Sequence, residues 1–371
     1  MHNRQRSITE LATIADHFVV PGTLVAGEAF GNGHINSTYR LVFSKGDKPT
    51  TQYVLQLINA HVFQNYQSVQ HNITLVTNFL RAQILAAGGD ALRETLTLIP
   101  TKTGESYVLH EGEVYRMYLF IDHTTCYERA TPTLLYHAAK AFGKFARQLD
   151  GFDATQLQTT IDKFHDTVHR YGTFQKSIAA DCKGRVAECT AEIDFVTARK
   201  DFCSIVLDEI DAGTVPLRVC HNDTKLTNVM MDNTTNQGIC VIDLDTVMQG
   251  SLLYDFGDSI RFGASSAAED EDDLSKVSCD LEKYELSAKG YLEECACILS
   301  EKEFELLAHS AILLTLECGM RFLTDYLDGD VYFGVHKPAH NLIRARNQFK
   351  LVQDMEDKLP EMIAINEKYK I

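Results

Sequence analysis

The chain contains 371 residues, enough for two domains and for a large hydrophobic core without stabilising disulfides or metals. Hydrophobic residues make up 45% of the chain and charged residues 23%, as in ordinary globular proteins. The formal net charge of −16 argues against a nucleic-acid-binding surface and against a polybasic membrane patch. It does not exclude a local basic pocket for a small anion such as a nucleotide.

Cysteine spacing and hydropathy indicate the cellular compartment. The 10 cysteines include no C-x-x-C pair, which argues against a zinc ribbon or a redox-active dithiol. Glu10 and Asp16 interrupt the apolar run that a secretory signal would need. We find no uninterrupted apolar stretch of about 18 residues, so we expect no membrane span. We therefore expect a cytoplasmic protein with reduced thiols, and we take a monomer as the default.

The first third of the chain predicts a mixed, mostly β structure with one long helix. A glycine-bearing turn at residues 30–36 precedes two strands, which a hairpin connection at 46–49 joins. In chain order, the predicted elements are a helix over about 7–19, strands at 38–43 and 53–57, a helix over 68–86, and strands at 96–100, 107–110 and 114–120.

From about residue 131 the hydrophobic pattern becomes mainly helical. The predicted elements are helices at 134–149 and within 186–211, short strands at 217–220, 229–231 and 239–242, and helices over the last hundred residues. The change of pattern predicts one domain over 1–122 and a second over 123–371. The acidic run at residues 269–273 is typical of a solvated loop or helix start.

Two polar motifs follow apolar strands and carry the chemistry of phosphoryl transfer. Residues 221–228 spell H-x-D-x-x-x-x-N, and residues 242–245 spell I-D-L-D. Phosphoryl transfer needs a carboxylate beside the attacking hydroxyl, and an amide oxygen and a second carboxylate on Mg²⁺. Asp223 fits the catalytic role, and Asn228 and Asp243 fit the metal roles. Such residues are also common in turns, but both motifs in this order favour the functional interpretation.

With three further segments, these motifs resemble the aminoglycoside-phosphotransferase and choline-kinase superfamily, whose members are relatives of protein kinases. The further segments are residues 31–39, 254–264 and 317–323, and the last two resemble the N-acetylhexosamine 1-kinases in particular. The resemblance implies an α+β, bilobal protein-kinase-like fold. It has a small N-lobe with an antiparallel sheet, a larger mainly helical C-lobe, and ATP in the cleft between them.

The implied reaction is ATP- and Mg²⁺-dependent phosphorylation of the anomeric 1-hydroxyl of N-acetylglucosamine or N-acetylgalactosamine. Two alternatives stay open. One is a kinase of another small alcohol, choline-like or an aminoglycoside, since a cationic substrate would suit an acidic cleft. The other is a nucleotide-binding pseudokinase that serves as an interaction module, which Gln56 favours because many relatives carry a strand lysine at that position.

The resemblance also assigns nucleotide-binding and sugar-binding residues. Gln56 can hydrogen-bond a phosphate oxygen but adds no charge, which Lys225 could supply. The nucleotide set is Gly31, Gly33, Gln56, Phe120, Asp122 and Lys225, with Phe120 and Asp122 in the inter-lobe hinge. The sugar set is His34, Asn36, Phe262, Arg321 and Tyr332. Turn, ion-pair and core roles are the alternatives for the sugar set.

Four other polar residues are given supporting or structural roles. Asp255 matches a family aspartate that supports the catalytic loop, and Asp245 is expected to lie behind the metal ligands. His165 and His169 form H-D-x-x-H, but a zinc protease would need glutamate in place of Asp166, so we expect a surface or packing role.

Overall fold

The computed structural model describes residues 6–31, 35–46 and 48–371. Its first part contains a five-stranded antiparallel sheet of strand order β1-β2-β3-β5-β4. The strands are β1 (Thr23–Ala29), β2 (Ser37–Ser44), β3 (Thr51–Ile58), β4 (Val108–His110) and β5 (Glu113–Leu119). Smaller sheets are formed by β6 (Thr124–Thr125), β7 (Arg218–Cys220), β8 (Val229–Asp232), β9 (Gly238–Val241) and β10 (Met248–Gly250).

The helices dominate the rest of the chain. They are α1 (Ile8–Ala15), α2 (Tyr66–Ala86), α3 (Pro132–Gln148), α4 (Thr167–Ala180), α5 (Thr190–Thr197), α6 (Ile205–Asp211), α7 (Leu252–Gly263), α8 (Leu281–Cys295), α9 (Glu301–Asp328), α10 (His340–Asp357) and α11 (Leu359–Glu367). This arrangement confirms the α+β fold with an antiparallel N-terminal sheet and a larger helical part. The domain boundary at residue 122 stays a prediction.

The two faces of the five-stranded sheet differ in chemistry because strand side chains alternate. One face packs on α1 in a small apolar core that includes Leu11, Ile14, Tyr39, Leu41, Leu55 and Met117. The other face carries a polar row, in which Thr38 on β2 lies opposite Gln56 on β3, and Gln56 opposite Arg116 on β5. The second face lies toward the candidate active site described below.

The main core joins α2 to the helical part of the chain. Val69, Ile73 and Val76 on one stripe of α2 are fully buried in the same cluster as residues of α3, α7, α8 and α9. Helix α9 is buried along most of its length, from Phe304 to Leu327. The main core therefore supports the loops that follow β7 and β9.

Helix α9 bears on the expectation that no segment of the chain spans a membrane. Among the described residues it alone is long and apolar enough to cross a membrane, with a mean hydropathy of 1.4 over its most apolar window. Because 83% of that window is buried inside the protein, its composition is that of a central core helix.

The structure differs from the predicted elements at several places. Strand β1 was not predicted, since it is a mostly exposed edge strand containing Gly27 and two alanines. The predicted strand at 96–100 forms only an isolated bridge between Leu98 and Tyr118. The predicted helix within 186–211 is divided into α5, α6 and short 3₁₀ turns, which apolar spacing alone does not distinguish.

Candidate active site

The loop at residues 221–228, which we call the catalytic loop, joins β7 to β8 and is held by two carboxylates of α7. Asp255 accepts the backbone N–H groups of His221 at 2.8 Å and Asn222 at 2.7 Å. Asp258, one turn later, accepts the Thr224 N–H at 3.0 Å. Asn222 has φ 64°, a left-handed conformation that asparagine tolerates better than most residues. Helix α7 thus sets the path of the catalytic loop.

His221 connects the catalytic loop to residues 242–246, which we call the aspartate loop. Its Nδ1 accepts the Asp223 N–H at 3.2 Å, and its Nε2 lies 2.9 Å from the Ile242 carbonyl oxygen. Nε2 must therefore carry the proton, which defines a neutral tautomer. Thr246 adds a second link, since its Oγ1 donates to the His221 carbonyl at 2.7 Å.

Asp223 and Asn228 are in direct contact. The Asn228 Nδ2 donates to the Asp223 carbonyl at 2.9 Å and to its Oδ2 at 3.1 Å. Lys225 Nζ approaches the same Oδ2 at 2.9 Å. Burial would lower the pKa of Lys225, but Asp223 outweighs that effect and the pKa is raised. Within the described part of the chain, no donor reaches Asp223 Oδ1 or Asn228 Oδ1, so both oxygens are free for ligands.

Asp243 begins the turn of the aspartate loop with φ 60° and is reached by solvent. Desolvation by the surrounding protein raises the pKa of its carboxyl to about 6, and repulsion from Asp245 and Asp223 adds to the rise. A bound divalent cation would relieve this repulsion. No cluster of three His, Cys, Asp or Glu forms a closed metal site among the described residues. Mg²⁺ fits the available oxygens, because it keeps several waters and takes phosphate ligands.

Gln56 is held within the sheet by bonds at both ends of its amide. Its Nε2 donates to Thr38 Oγ1 at 3.3 Å, and its Oε1 accepts from Arg116 Nε at 2.9 Å. Arg116 in turn forms an ion pair with Asp245, and both side chains are almost fully buried. Asn36 completes this set, donating its Nδ2 to Asp245 Oδ2 at 2.6 Å. The polar row therefore runs from the sheet to the aspartate loop.

Asn36 is thus already bonded at both ends, because its Oδ1 also accepts the Asn59 N–H at 2.9 Å. Gly31 is exposed with φ 75°, two residues after the end of β1. Gly33 and His34 lie outside the described residues. The proposed contacts of this turn with phosphates or sugar stay predictions.

The segment after β5 contains Phe120 and Asp122, the two residues predicted to lie in the hinge. The Phe120 N–H donates to the Gln52 carbonyl at 3.1 Å, and Gln52 Nε2 donates to Asp122 Oδ1 at 3.2 Å. In the described ranges, the Phe120 carbonyl and the Asp122 N–H have no hydrogen-bond partner. The Phe30 ring lies edge-on to Phe120, with centroids 5.5 Å apart. One acceptor and one donor are therefore available beside an aromatic surface, as adenine requires.

A buried ion pair supports the catalytic loop from the opposite side. His165 Nδ1 lies 2.9 Å from Glu317 Oε1, and its Nε2 lies 3.2 Å from the Asn222 carbonyl oxygen. Both neighbours are acceptors, so both ring nitrogens must carry protons and the imidazole is cationic. Burial alone would lower the pKa of His165, but Glu317 raises it above its ordinary value. Thr167 Oγ1 also donates to Glu317, at 2.6 Å.

Arg321 lies one helical turn beyond Glu317, among aromatic rings. Its guanidinium carbon is 5.7 Å from the centroid of Phe164, 6.0 Å from that of Tyr332 and 5.6 Å from that of Phe333. Within the part of the chain that the structure describes, Arg321 forms no hydrogen bond and no ion pair. Burial and the charge of Arg321 lower the pKa of Arg170 beside it. This corner of the cleft therefore offers unused positive donors.

A buried carboxylate fixes the loop that carries Tyr332. Asp325 accepts the backbone N–H groups of Val331, Tyr332 and Phe333 at 2.9, 2.8 and 2.9 Å. Asn341 donates to the same carboxylate at 2.8 Å. Tyr332 itself is 67% exposed, so its ring is available to a ligand.

Phe262 lies one turn after Asp258 on α7 and is 39% exposed. Its ring covers the guanidinium of Arg261 at 3.8 Å, and Arg261 pairs with Asp258 and with Glu269. Glu269 belongs to the acidic run, which is also bound by Lys337 and His340 at Asp270. The run is therefore partly neutralised by ion pairs, rather than being only a solvated loop.

The sequence did not identify Arg116, His165, Glu317 or Asp325 as parts of this site. Arg116 interrupts an otherwise apolar alternation in β5, and Glu317 and Asp325 interrupt the apolar α9. A charged residue within an otherwise apolar element needs a buried partner. These charged positions were therefore the sequence signal that could have identified the residues. The partners themselves lie more than a hundred residues away in the cases of Arg116 and Glu317.

Several solved structures share this fold. An aminoglycoside phosphotransferase from Alicyclobacillus acidocaldarius is 11% identical, covers 99% of this chain and 97% of its own, and has a TM-score of 0.60. A macrolide 2'-phosphotransferase from Brachybacterium faecium is 12% identical over 92% of this chain and 97% of its own, with a TM-score of 0.52. Spectinomycin phosphotransferase, in complex with ADP and spectinomycin, is 14% identical over 94% and 100%, with a TM-score of 0.51. At these identities the likeness shows the fold alone.

Family membership rests on the sequence match. Residues 26–280, more than half of the chain, match the model of the phosphotransferase enzyme family (APH). The matched region contains the polar row, the hinge, the catalytic loop, the aspartate loop and α7. This chain is a member of the phosphotransferase enzyme family.

Proposed function

We propose that the protein transfers the γ-phosphoryl group of ATP to the anomeric 1-hydroxyl of an N-acetylhexosamine, giving the sugar 1-phosphate and ADP. The observation that carries the proposal is the arrangement around Asp223. One of its carboxylate oxygens is held by Asn228 and Lys225, and the other has no partner among the described residues. That arrangement presents a fixed acceptor to a hydroxyl group, next to two candidate metal ligands.

The residues of the catalytic loop divide the chemistry between them. Asp223 Oδ1 accepts the hydrogen bond of the attacking hydroxyl, orients its lone pair and takes its proton. Lys225 pairs with Asp223 and adds positive charge beside the transferred group. Asn228 Oδ1 and Asp243 would hold Mg²⁺, which when bound neutralises charge on the β- and γ-phosphates.

The nucleotide side of the proposal depends on the hinge. The free Phe120 carbonyl and Asp122 N–H match the amino group and ring nitrogen of adenine. Spectinomycin phosphotransferase, which shares the fold, was solved with ADP. Gln56 would have only an indirect role, because its amide is already bonded to Thr38 and Arg116.

The acceptor side favours a neutral sugar over a cationic alcohol. Arg321 and Arg170 place two guanidinium groups in this corner of the cleft, and they repel an ammonium group. Hydroxyl and acetamido oxygens can accept the free donors of Arg321, while Tyr332 and Phe262 offer exposed rings to the sugar.

The second candidate is an aminoglycoside or choline-like substrate. It is supported by the acidic run at residues 269–273 and by the fold shared with enzymes named for aminoglycosides. Arg261 and Lys337 neutralise part of that run, which weakens the argument. A pseudokinase is disfavoured because Asp223, Asn228 and Asp243 lie together in a geometry suited to transfer.

Release of ADP over an acceptor panel tests the proposal. The panel contains N-acetylglucosamine, N-acetylgalactosamine, choline and spectinomycin, each with Mg²⁺ and with EDTA. We expect ADP release only with an N-acetylhexosamine and Mg²⁺. Turnover with choline or spectinomycin instead would reject the sugar assignment, and ADP binding without any turnover would favour the pseudokinase.

A further inference from the structure

Arg116 connects the sheet to the aspartate loop through two bonds that point in different directions. Its Nε donates to Gln56 Oε1 at 2.9 Å, and its Nη1 contacts Asp245 Oδ1. The side chains of Arg116 and Asp245 are only 1% and 2% exposed. A planar guanidinium can make both bonds at once, whereas an ammonium group lacks this fork geometry.

The charges around the aspartate loop explain why a cation is needed there. Asp243 is repelled by both Asp245 and Asp223. Lys225 pairs with Asp223, so it serves the catalytic loop. In the described residues, Arg116 is the cation paired with Asp245. Without Arg116, Asp245 would be a buried, unneutralised carboxylate close to Asp243, the candidate metal ligand.

The position of Arg116 relates it to Gln56. The two residues are directly opposite each other on β5 and β3, and both lie on the face of the sheet that meets the aspartate loop. Glutamine at position 56 cannot neutralise Asp245. Arginine on the neighbouring strand reaches that carboxylate, and Gln56 holds the guanidinium in orientation.

We infer that Arg116 is a positioning residue for the metal–nucleotide complex. Through Asp245 it fixes the aspartate loop that presents Asp243, and it supplies the positive charge that Gln56 on β3 lacks. This inference rests on the proposed function. Arg116 itself does not touch the reacting atoms, because its donors are turned to Gln56 and Asp245. Its effect should therefore appear in the binding of Mg·ADP and not in the binding of the acceptor.

The test removes the ion pair and then moves the cation. Arg116→Gln/Asp245→Asn removes both charges together, which avoids a buried charge without a partner. Gln56→Arg/Arg116→Gln exchanges the two side chains across the strand pair, which moves the guanidinium to β3 opposite position 116. Arg199→Gln/Glu356→Gln is the matched control, since it removes a partly buried ion pair between Arg199, which follows α5, and Glu356 on α10, with Nη2–Oε2 2.6 Å.

Calorimetry with Mg·ADP and with N-acetylglucosamine, alongside thermal unfolding, gives the readouts. We expect Arg116→Gln/Asp245→Asn to weaken Mg·ADP binding roughly 10–100-fold, as is usual when a group supporting a metal ligand is lost. Sugar affinity should be unchanged, and the transposed variant should recover most of the lost nucleotide affinity. The control variant should bind Mg·ADP like the wild type.

Three results would overturn the inference. They are wild-type Mg·ADP affinity in Arg116→Gln/Asp245→Asn, equal loss of sugar and nucleotide affinity, and no recovery in a folded transposed variant. If the double variants unfold, Arg116→Lys decides, since it keeps the charge and loses the Gln56 bond. It should weaken only Mg·ADP, and wild-type affinity would reject the inference. A wild-type protein that binds no Mg·ADP would reject the proposed function as well.

Discussion

At the scale of single residues, Asp223 has the most narrowly defined role. Its Oδ2 is held by Asn228 and Lys225, and its backbone by His221, so substitution of the carboxylate leaves three anchoring residues in place. The hydrogen bond from Asn228 would persist to an amide oxygen. Loss of the proton acceptor is therefore separable from loss of the loop conformation.

We expect Asp223→Asn to lower kcat by roughly 10²–10⁴-fold, the usual contribution of a general base, while the Kd of Mg·ADP stays close to the wild-type value. Steady-state kinetics and calorimetry measure the two quantities. Asp357→Asn, at an exposed position on α10, is the control and should change neither. A fully active Asp223→Asn would remove Asp223 from the mechanism.

His165 gives a pH-dependent contribution to stability. The raised pKa of its imidazole means that protonation favours the folded state. This contribution is fully present below the ordinary pKa of 6.5 and is lost as the pH rises through the folded-state value. Removing one partner of a buried pair typically costs about 3–5 kcal/mol.

We therefore expect His165→Gln to lower the free energy of unfolding by about 3–5 kcal/mol near pH 6. The loss should become smaller as the pH rises. Urea unfolding at several pH values measures the difference. His169→Gln, the exposed histidine of the same motif, should change stability by less than about 0.5 kcal/mol at every pH. A His165 effect that grows with pH would contradict the cationic pair.

At the scale of elements, the connection between α9 and α10 carries Tyr332 on a fixed support. The Asp325 carboxylate accepts three consecutive backbone N–H groups. Asparagine at this position would turn its amide N–H donors toward one of these N–H groups. We expect Asp325→Asn to cost about 1.5–3 kcal/mol of stability, the value of a hydrogen bond to a charged group. It should also raise the KM for the sugar and leave the KM for ATP unchanged.

Kinetics with each substrate varied in turn, and urea unfolding, test this support. Asp328→Asn is the control, since its side chain at the end of α9 has no partner among the described residues. Equal changes in both KM values would show that Asp325 supports the whole cleft rather than the acceptor corner.

The close approach of α7 to α9 requires glycine at position 257. A Cβ on Gly257 would lie 2.5 Å from the Ser310 carbonyl oxygen, which cannot move without shifting α9. Gly257 lies between Asp255 and Asp258, which hold the catalytic loop by hydrogen bonds. A displacement of α7 would therefore displace the catalytic loop as well. We expect Gly257→Ala to destabilise the protein by about 1–3 kcal/mol, as overpacking does, and to lower kcat.

Gly172→Ala is the matched control for that substitution. Gly172 lies within α4, and a Cβ there would meet no atom within 4 Å. It should stabilise the protein by about 0.5–1 kcal/mol, because alanine is the better helix former. Thermal unfolding compares the two, and a stabilising Gly257→Ala would contradict the close approach of α7 and α9.

Local patterns predicted the elements better than the contacts between them. The strands β2, β3 and β5 and the helices α2 and α3 follow from their own alternation or helical spacing, and the family motifs located both loops. Arg116 was missed because its role depends on the register of β3 and β5 and on a loop 129 residues later. Strand β1 was missed because an exposed edge strand has little apolar pattern.

The proposed sugar residues likewise show that contacts were harder to predict than elements. Arg321 was assigned to the sugar by resemblance, and its lack of an acceptor among the described residues became visible only when α9 was placed beside Phe164 and Phe333. Asn36 was assigned in the same way, yet its amide is bonded to Asp245 and Asn59. Which of the two contacts sugar is a question of tertiary geometry that spacing does not contain.

At the scale of the whole molecule, the charge of −16 conflicts with binding a polyanionic nucleotide. The polar row adds no free cation at Gln56, and Arg116 is already paired with Asp245. We therefore expect the Kd of ADP to rise steeply when Mg²⁺ is removed by EDTA, as measured by calorimetry. Equal affinities with and without Mg²⁺ would show that protein cations alone neutralise the phosphates.

The central claim is transfer to the anomeric oxygen, and the most direct measurement is phosphorus NMR of the product formed from ATP, Mg²⁺ and N-acetylglucosamine. We expect a sugar 1-phosphate, and no product from the methyl glycoside of the same sugar, in which that oxygen is blocked. A phosphorylated methyl glycoside, or phosphate on another hydroxyl of N-acetylglucosamine, would contradict it.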